Sequence, residues 1–286
     1  MKPSGWIETP QLKPAEFAEV RELAYRRFGL DLQEDKQQLV WARLSRQLRQ
    51  GGFRSFREYF DHVKADASGE SLIALIDALT TNYTSFLRER DHFEFLAWAV
   101  ANHPRSQRLR LWCAAAATGE EPYSMLFTCL DHLQDERTPV EILASDISTR
   151  ALETARKATY AAARLADVPK TWLDRYFILA QDQSVRQYRV RPEYLARIQF
   201  QRINLIEPFH GLGQFQMIFC RNVMIYFDQR TRADVVRRLV ERLQPGGFLI
   251  VGHAESLIGI EHGLEYVQPA VYRRPASAVH RLGEGR

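Results

Sequence analysis

The chain has 286 residues, 39 Lys plus Arg against 35 Asp plus Glu for a formal net charge of +4, with 45% hydrophobic and 26% charged residues. That balance fits one or two globular domains with real cores and excludes an intrinsically disordered chain, a collagen or a disulfide-stapled miniprotein. Three cysteines, Cys113, Cys129 and Cys220, with no CxxC pair, point to a reducing compartment and no zinc framework. The longest apolar run, 111–117, falls far short of the roughly 20 residues a membrane span needs. Residues 1–10 lack the apolar stretch of a signal peptide, so a cytoplasmic protein without membrane insertion is expected.

Residues 14 to about 80 read as helices with no strand-like alternation. The helix over 15–28 is amphipathic and closes at Gly29. Asp35 is expected to cap a helix that runs to Gln50 and is closed by Gly51 and Gly52. Two shorter helices follow over 55–63 and 70–79, and another over 91–102. From residue 108 short apolar strands (109–113, 140–144, 215–219, 248–251) alternate with helices (122–133, 149–157, 228–243). Such strands, apolar throughout, predict a parallel sheet with right-handed crossovers. Gln244-Pro245-Gly246-Gly247 reads as a turn. The stretch 172–201 breaks the alternation, and 188–191 and 198–200 read as short antiparallel strands of an inserted subdomain.

The first strand runs into Ala114-Ala115-Ala116-Ala117-Thr118-Gly119 and then a helix opening with Glu120-Glu121-Pro122-Tyr123-Ser124. A doubly wound sheet holds nucleotide-like ligands at that place, and tiny side chains let the backbone approach them. A pyrophosphate asks for GxGxxG and a bare helix N-terminus. One glycine followed by two carboxylates repels phosphate and attracts a ligand with an ammonium, and S-adenosylmethionine fits. Asp146, ending the next strand, suits ribose hydroxyls. The same residues also read as dipole-stabilising glutamates and a helix cap, a purely structural role. Two further segments favour the ligand. Phe219 to Phe227 sets Arg221, Asn222 and Tyr226 at a strand's carboxyl end, and Thr81 to Glu89 offers Asn82, Thr84 and Arg88 as hydrogen-bonding groups.

Between Lys36 and Arg57 there are six basic residues and no acidic one. Arg43, Arg46 and Arg49 step by three and form one stripe about 120° wide. Val40, Leu44 and Leu48 lie opposite and are expected to face the core. The stripe reads as a solvated face or as a docking surface for an acidic partner, where arginine pairs bidentately with carboxylates. A nucleic acid would suit it too, but base methylation asks for a flipped-base pocket and an activating motif of the NPPY kind, which is missing. A noncatalytic sensor of S-adenosylmethionine is a third class. The eight histidines show no metal-ligand spacing, so no metal is expected. His253 is expected to bond to Glu255 or the backbone, and the cysteines to be core thiols.

Taken together, TNxTxFxR over 81–88, TGEEPYS over 118–124, Ser145-Asp146-Ile147, FCRNVxIYF over 219–227 and Gly252-His253-Ala254-Glu255-Ser256 resemble the CheR family of chemotaxis receptor glutamate O-methyltransferases. The similarity runs in order from about residue 14 to 273. It implies an α/β fold: a class I S-adenosylmethionine-dependent methyltransferase doubly wound sheet with an N-terminal all-helical domain and a small inserted β-subdomain. The implied division is a receptor-docking domain over 14–80, a linker and helix over 81–104, a methyltransferase domain over 105–274 with the insert at about 172–201, and a tail over 275–286. The implied activity moves a methyl group from S-adenosylmethionine to glutamate carboxylates of chemoreceptor cytoplasmic helices, leaving S-adenosylhomocysteine and a methyl ester. Carried over residue by residue, cofactor contacts fall at Asn82, Thr84, Arg88, Glu121, Asp146, Asn204, Leu205, Arg221 and Asn222. Arg88 and Tyr226 would flank the methyl-transfer point, and Arg43, Arg46 and Arg49 would dock on the receptor's helical bundle. The insert binds a receptor C-terminal peptide in some members. No nucleic acid is implied as a partner, and a monomer is expected.

Overall fold

The computed structural model describes residues 10–80, 84–104, 107–133, 135, 137–180 and 186–276. They divide into two compact units, 10–80 with 226–228 and 84–225 with 229–276. Among the described residues no helix is long and apolar enough to cross a membrane.

The first unit holds α1 (Pro14–Phe28), α2 (Gln37–Gly51), α3 (Phe56–Ala65) and α4 (Glu70–Leu79). Proline at the first helical position and Glu16, which accepts from the Lys13 amide at 2.8 Å, start α1. Gly29 ends it in the left-handed region, φ 72°, where a side chain would be strained. Asp35 does not cap α2. It lies inside a 3-10 turn, Glu34–Lys36, with its carboxylate on Lys36, and α2 begins one residue later. Ser55 does cap α3, accepting from the Glu58 amide at 3.1 Å. Val40, Leu44 and Leu48 are buried as the spacing predicts, and α2 and α3 both pack on α4. Residues 226–228 join this unit: the Asp31 amide donates to the Tyr226 carbonyl at 2.8 Å, and the Tyr25 hydroxyl to Asp228 at 2.9 Å.

The second unit carries α5 (Arg90–Ala101), β1 (Leu109–Cys113), α6 (Glu120–His132), β2 (Val140–Asp146), α7 (Thr149–Lys157), β3 (Thr159–Ala161), α8 (Lys170–Tyr176), β4 (Phe177–Ala180) and β5 (Gln187–Val190). It continues with α9 (Pro192–Leu195), β6 (Ile198–Arg202), β7 (Phe215–Cys220), α10 (Gln229–Arg242), β8 (Leu243–Val251), β9 (Glu265–Gln268) and β10 (Val271–Arg273). The main sheet has the order β6-β2-β1-β7-β8-β10-β9. Its first five strands are parallel, Leu111 facing both Ile142 and Met217, and β10 runs against both its neighbours. The strand order reverses between β1 and β7, the place where open α/β sheets bind ligands beyond the carboxyl ends of their strands. Leu111, Trp112, Ile218, Phe219 and Ile250 are fully buried, which is why these strands read as unbroken apolar runs.

Three sequence expectations change here. Ile198–Arg202 is no part of an antiparallel insert: it pairs parallel with β2, Ala144 facing Phe200, and forms the edge of the main sheet. The small antiparallel sheet is instead β3-β5-β4, so the insertion starts at Thr159, earlier than 172. A three-residue strand such as Thr159–Ala161 has too few residues to show alternation. Asp131 on α6 fastens the insert by accepting from Trp172 Nε1 at 2.6 Å, Arg175 Nη1 at 2.8 Å and the Tyr176 hydroxyl. Nor do residues 244–247 form a free turn. They lie within β8 as a bulge, because Phe215 faces Leu243 while Met217 faces Phe248.

Candidate functional site

The carboxyl ends of β1, β2 and β7 lie side by side, and the loops that leave them are tied together by hydrogen bonds. Ala114 donates to the Phe219 carbonyl and Ala116 to that of Ser145, each at 2.8 Å. The Ala117 amide reaches Asp146 Oδ2 at 2.8 Å, and the Ser148 amide reaches Oδ1 at 2.9 Å. Gly119 (φ 99°) admits no side chain: a Cβ there would stand 2.8 Å from both Ala155 Cβ and the Tyr160 hydroxyl. That contact, rather than ligand access alone, explains the single glycine of the loop.

Arg221 is the hub. Its side chain is fully buried, with Nη1 2.6 Å from Glu121 Oε2 and Nη2 3.0 Å from Glu89 Oε2, and Nη2 also donates to the Arg88 carbonyl. Burial works against its charge, but the two carboxylates hold its proton more tightly than usual. Burial likewise works to raise Glu89, yet Arg221 and the hydrogen bonds from Asn222, Arg221 and the His253 amide hold it below the ordinary carboxylate value. Burial first, and then Glu121, push the Cys113 thiol up, and Cys113 donates to Glu121 at 3.1 Å as a neutral core thiol. Cys129 and Cys220 are also free and buried.

Glu120, which the sequence reading set beside Glu121 as bait for an ammonium, points elsewhere. It is fully buried, ion-paired with Arg164 and accepts from Thr118 Oγ1 at 2.6 Å. Both glutamates thus have an arginine of their own, and neither is an uncompensated charge waiting for an ammonium. Thr84 is buried with its carbonyl on Arg164, and Leu205 is buried beyond β6. Asn204 Nδ2 donates to Glu207 at 2.8 Å. The carbonyl of the half-buried Arg88 anchors Arg221. Asn82 lies outside the described residues, and Tyr226 belongs to the helical unit. Of the basic stripe Arg46 and Arg49 are exposed, whereas Arg43 is half-buried and donates to the Leu79 carbonyl at the end of α4.

Glu89, Glu255 and Arg164 were missed in the sequence. Glu255 is 3% exposed, and its carboxylate accepts from the amides of Asn222 and Gly252 at 2.7 Å and of Ile225 at 3.2 Å. It is therefore not the partner of His253, whose Nε2 meets Asp91 Oδ2 at 2.8 Å. The histidines are also less scattered than their spacing suggests: ligand-type atoms of Glu89, His92 and His253 lie within 4.8 Å of one another. Arg221 already supplies the positive charge at Glu89. The signal for these carboxylates was the motif itself, since Glu89 follows Arg88 directly and Glu255 follows a strand end by four residues.

Residues 82–272 match the CheR methyltransferase SAM-binding domain, and 15–80 match the CheR methyltransferase all-alpha domain. The chain belongs to the CheR methyltransferase family. It is 41% identical over 259 residues to chemotaxis protein methyltransferase 2 of Pseudomonas aeruginosa, covering 90% of this chain and 92% of that protein. It is 40% identical to the chemotaxis protein methyltransferase of Salmonella typhimurium (86% and 85% covered) and 38% to that of Escherichia coli (91% of each). This CheR-family chain is an S-adenosylmethionine-dependent methyltransferase.

Two outcomes follow from the charge cluster. Arg221→Met leaves the buried Glu121 and the half-buried Glu89 without their cation, and urea unfolding should register a loss of about 3–5 kcal/mol. His92 is fully buried, and burial, then the Arg221 charge, depress it from 6.5 to about 4. The unfolded chain therefore takes up a proton at this position that the folded chain refuses, and stability falls as pH drops from about 6.5 to about 4, by up to about 3 kcal/mol. Unfolding of the wild type and of His92→Gln across that window should show a shallower loss in the variant.

Proposed function

We propose that this methyltransferase esterifies glutamate side chains on the cytoplasmic helices of chemoreceptors, the methylation step of chemosensory adaptation. The observation that carries this is the meeting of the family's motif residues Arg88, Glu121, Asp146, Arg221 and Asn222 at the carboxyl ends of three adjacent strands. The residues present suit S-adenosylmethionine. The crevice offers a carboxylate at the end of β2, of the kind that accepts from ribose hydroxyls, a loop of small alanines that lets a ligand approach the backbone, and a buried arginine kept from any phosphate by its own carboxylates. Thr84, Glu121, Asp146, Asn204, Leu205, Arg221 and Asn222 form the cofactor wall, with Asn82 beside Thr84 in sequence. When bound, the cofactor supplies a methyl group already activated on a sulfonium.

The acceptor is ionised without help, because a glutamate with an ordinary pKa of about 4.3 carries its charge at pH 7. No general base is required, and the chain's work is alignment and exclusion of water. Arg88 steers the acceptor carboxylate and Tyr226 orients its oxygen. Arg88 must position that carboxylate without binding it so tightly that its nucleophilicity is lost. Arg46 and Arg49, exposed on α2, dock on the acidic face of the receptor bundle. The open edge of β4, with Ile178 and Leu179 exposed, suits an added strand from a receptor C-terminal peptide. Each unit buries its own core, in keeping with a monomer.

Incubated with labelled S-adenosylmethionine and receptor fragments, the wild type should place label in base-labile methyl esters; label in nucleic acid, or none, contradicts this reading. Arg88→Ala should remain folded and lose about a hundredfold or more in transfer rate, the scale expected when a reacting group is no longer held in place. Charge reversal at Arg46 and Arg49 together should weaken receptor binding about tenfold at low salt, with the difference shrinking as salt rises.

A further inference from the structure

We propose that Glu255 is a positioning residue for the cofactor: its buried carboxylate holds the Arg221–Asn222 turn, and with it the Asn222 side chain, in the conformation that the cofactor meets. The proposal rests on the assignment of that turn as a cofactor contact. Asn222 follows β7 with φ +57°, a left-handed conformation that asparagine tolerates better than other side-chain-bearing residues and that its hydrogen bonds here fix. The surroundings are on two sides. The Asn222 amide donates to Glu255 Oε2 at 2.7 Å, and Asn222 Nδ2 donates to Glu89 Oε1 at 3.2 Å. Glu255 Oε2 also takes the Gly252 amide at 2.7 Å, and Oε1 takes the Ile225 amide at 3.2 Å. One carboxylate thus spans the turn from Asn222 to Ile225 and clamps it to the end of β8.

Gly252 is shaped for this clamp. A Cβ there would lie 2.6 Å from Asn222 Nδ2, 2.8 Å from Glu255 Oε2 and 3.0 Å from the Asn222 amide nitrogen. The absent side chain lets the two turns close on each other. A charged acceptor is needed, because amide donors converging on one buried side chain are best satisfied by a carboxylate, which donates nothing back. Burial pushes the Glu255 carboxyl upward, and the amides of Gly252, Asn222, Met224 and Ile225 oppose that rise. The residue therefore spends desolvation energy to hold backbone rather than to pair with a cation.

The test is equilibrium binding of S-adenosylhomocysteine to the full chain, with steady-state kinetics alongside. Glu255→Ala should bind about tenfold or more weakly, the scale of a lost charged hydrogen-bond network. Its KM for S-adenosylmethionine should rise by a like factor while kcat at saturation stays within about threefold. Glu255→Gln, which keeps one acceptor oxygen, should recover part of the affinity. In a double-mutant cycle, Glu255→Ala should cost less on an Asn222→Ala background than on the wild type, because both act on the same contact. A purely structural role lowers the unfolding midpoint but moves neither the affinity of the folded protein nor this coupling. Asn222→Ala that weakens binding beside folded Glu255 variants that bind within about twofold of the wild type overturns the proposal alone. If Glu255→Ala does not fold, Glu255→Gln binding like the wild type overturns it equally. Asn222→Ala without effect overturns the cofactor assignment of the turn, and the proposal with it.

Discussion

A guanidinium buried between two carboxylates governs the active end of the sheet. Arg221 loses its hydration entirely, a cost that is offset only if Glu121 and Glu89 both reach it with good geometry. They come from different places: Glu121 from the first turn of α6, Glu89 from the segment just before α5, and Arg221 itself from the end of β7. The pairing therefore requires three segments to meet at one point, and that point adjoins the place where strand order reverses. The alanine loop, tied to β7 and β2 by its own amides, and the Asn222 turn, held by Glu255, border that point.

Backbone strain collects in the same region. Among the described non-glycine residues with positive φ are Leu87, Glu89, Ala117 and Asn222, all on loops that border the carboxyl ends of β1, β2 and β7. Such conformations persist where neighbours over-determine them, and here the neighbours are specific. Leu87 donates to Ser124, Ala117 to Asp146, and Asn222 to Glu255 and Glu89. A reaction whose donor is already activated and whose acceptor is already ionised gains most from fixed geometry, and a strained, cross-braced rim on a rigid sheet supplies it. That also accounts for the absence of a nucleophile-and-base pair among the motif residues.

Peripheral parts follow a looser logic. The small sheet is seated on the core by Tyr160, Tyr176, Phe177 and Val190, with Phe127 stacked on Tyr176 at 4.2 Å between ring centroids, and Asp131 adds a polar clasp that gathers three donors from α8. This packing seats one face of the insertion while leaving the strand β4 open at its edge.

Periodicity and motif spacing determined a good deal. The four N-terminal helices, the alternation that builds the parallel sheet, the buried face of α2 and the segments that carry Arg88, Glu121, Asp146 and Arg221 were all legible, because each depends on residues close together in the chain. Other features were decided only by tertiary structure. Whether Ile198–Arg202 pairs parallel with β2 or joins the insert depends on a partner more than fifty residues away. That Glu120 turns to Arg164 and Glu121 to Arg221 follows from side-chain direction at a helix start, which spacing does not encode. Glu255 looked like a neighbour for His253 and proved to be the acceptor for a turn 30 residues earlier. Local sequence states which groups are present, but the charge each one feels is set by what the fold buries against it, and that is a long-range property.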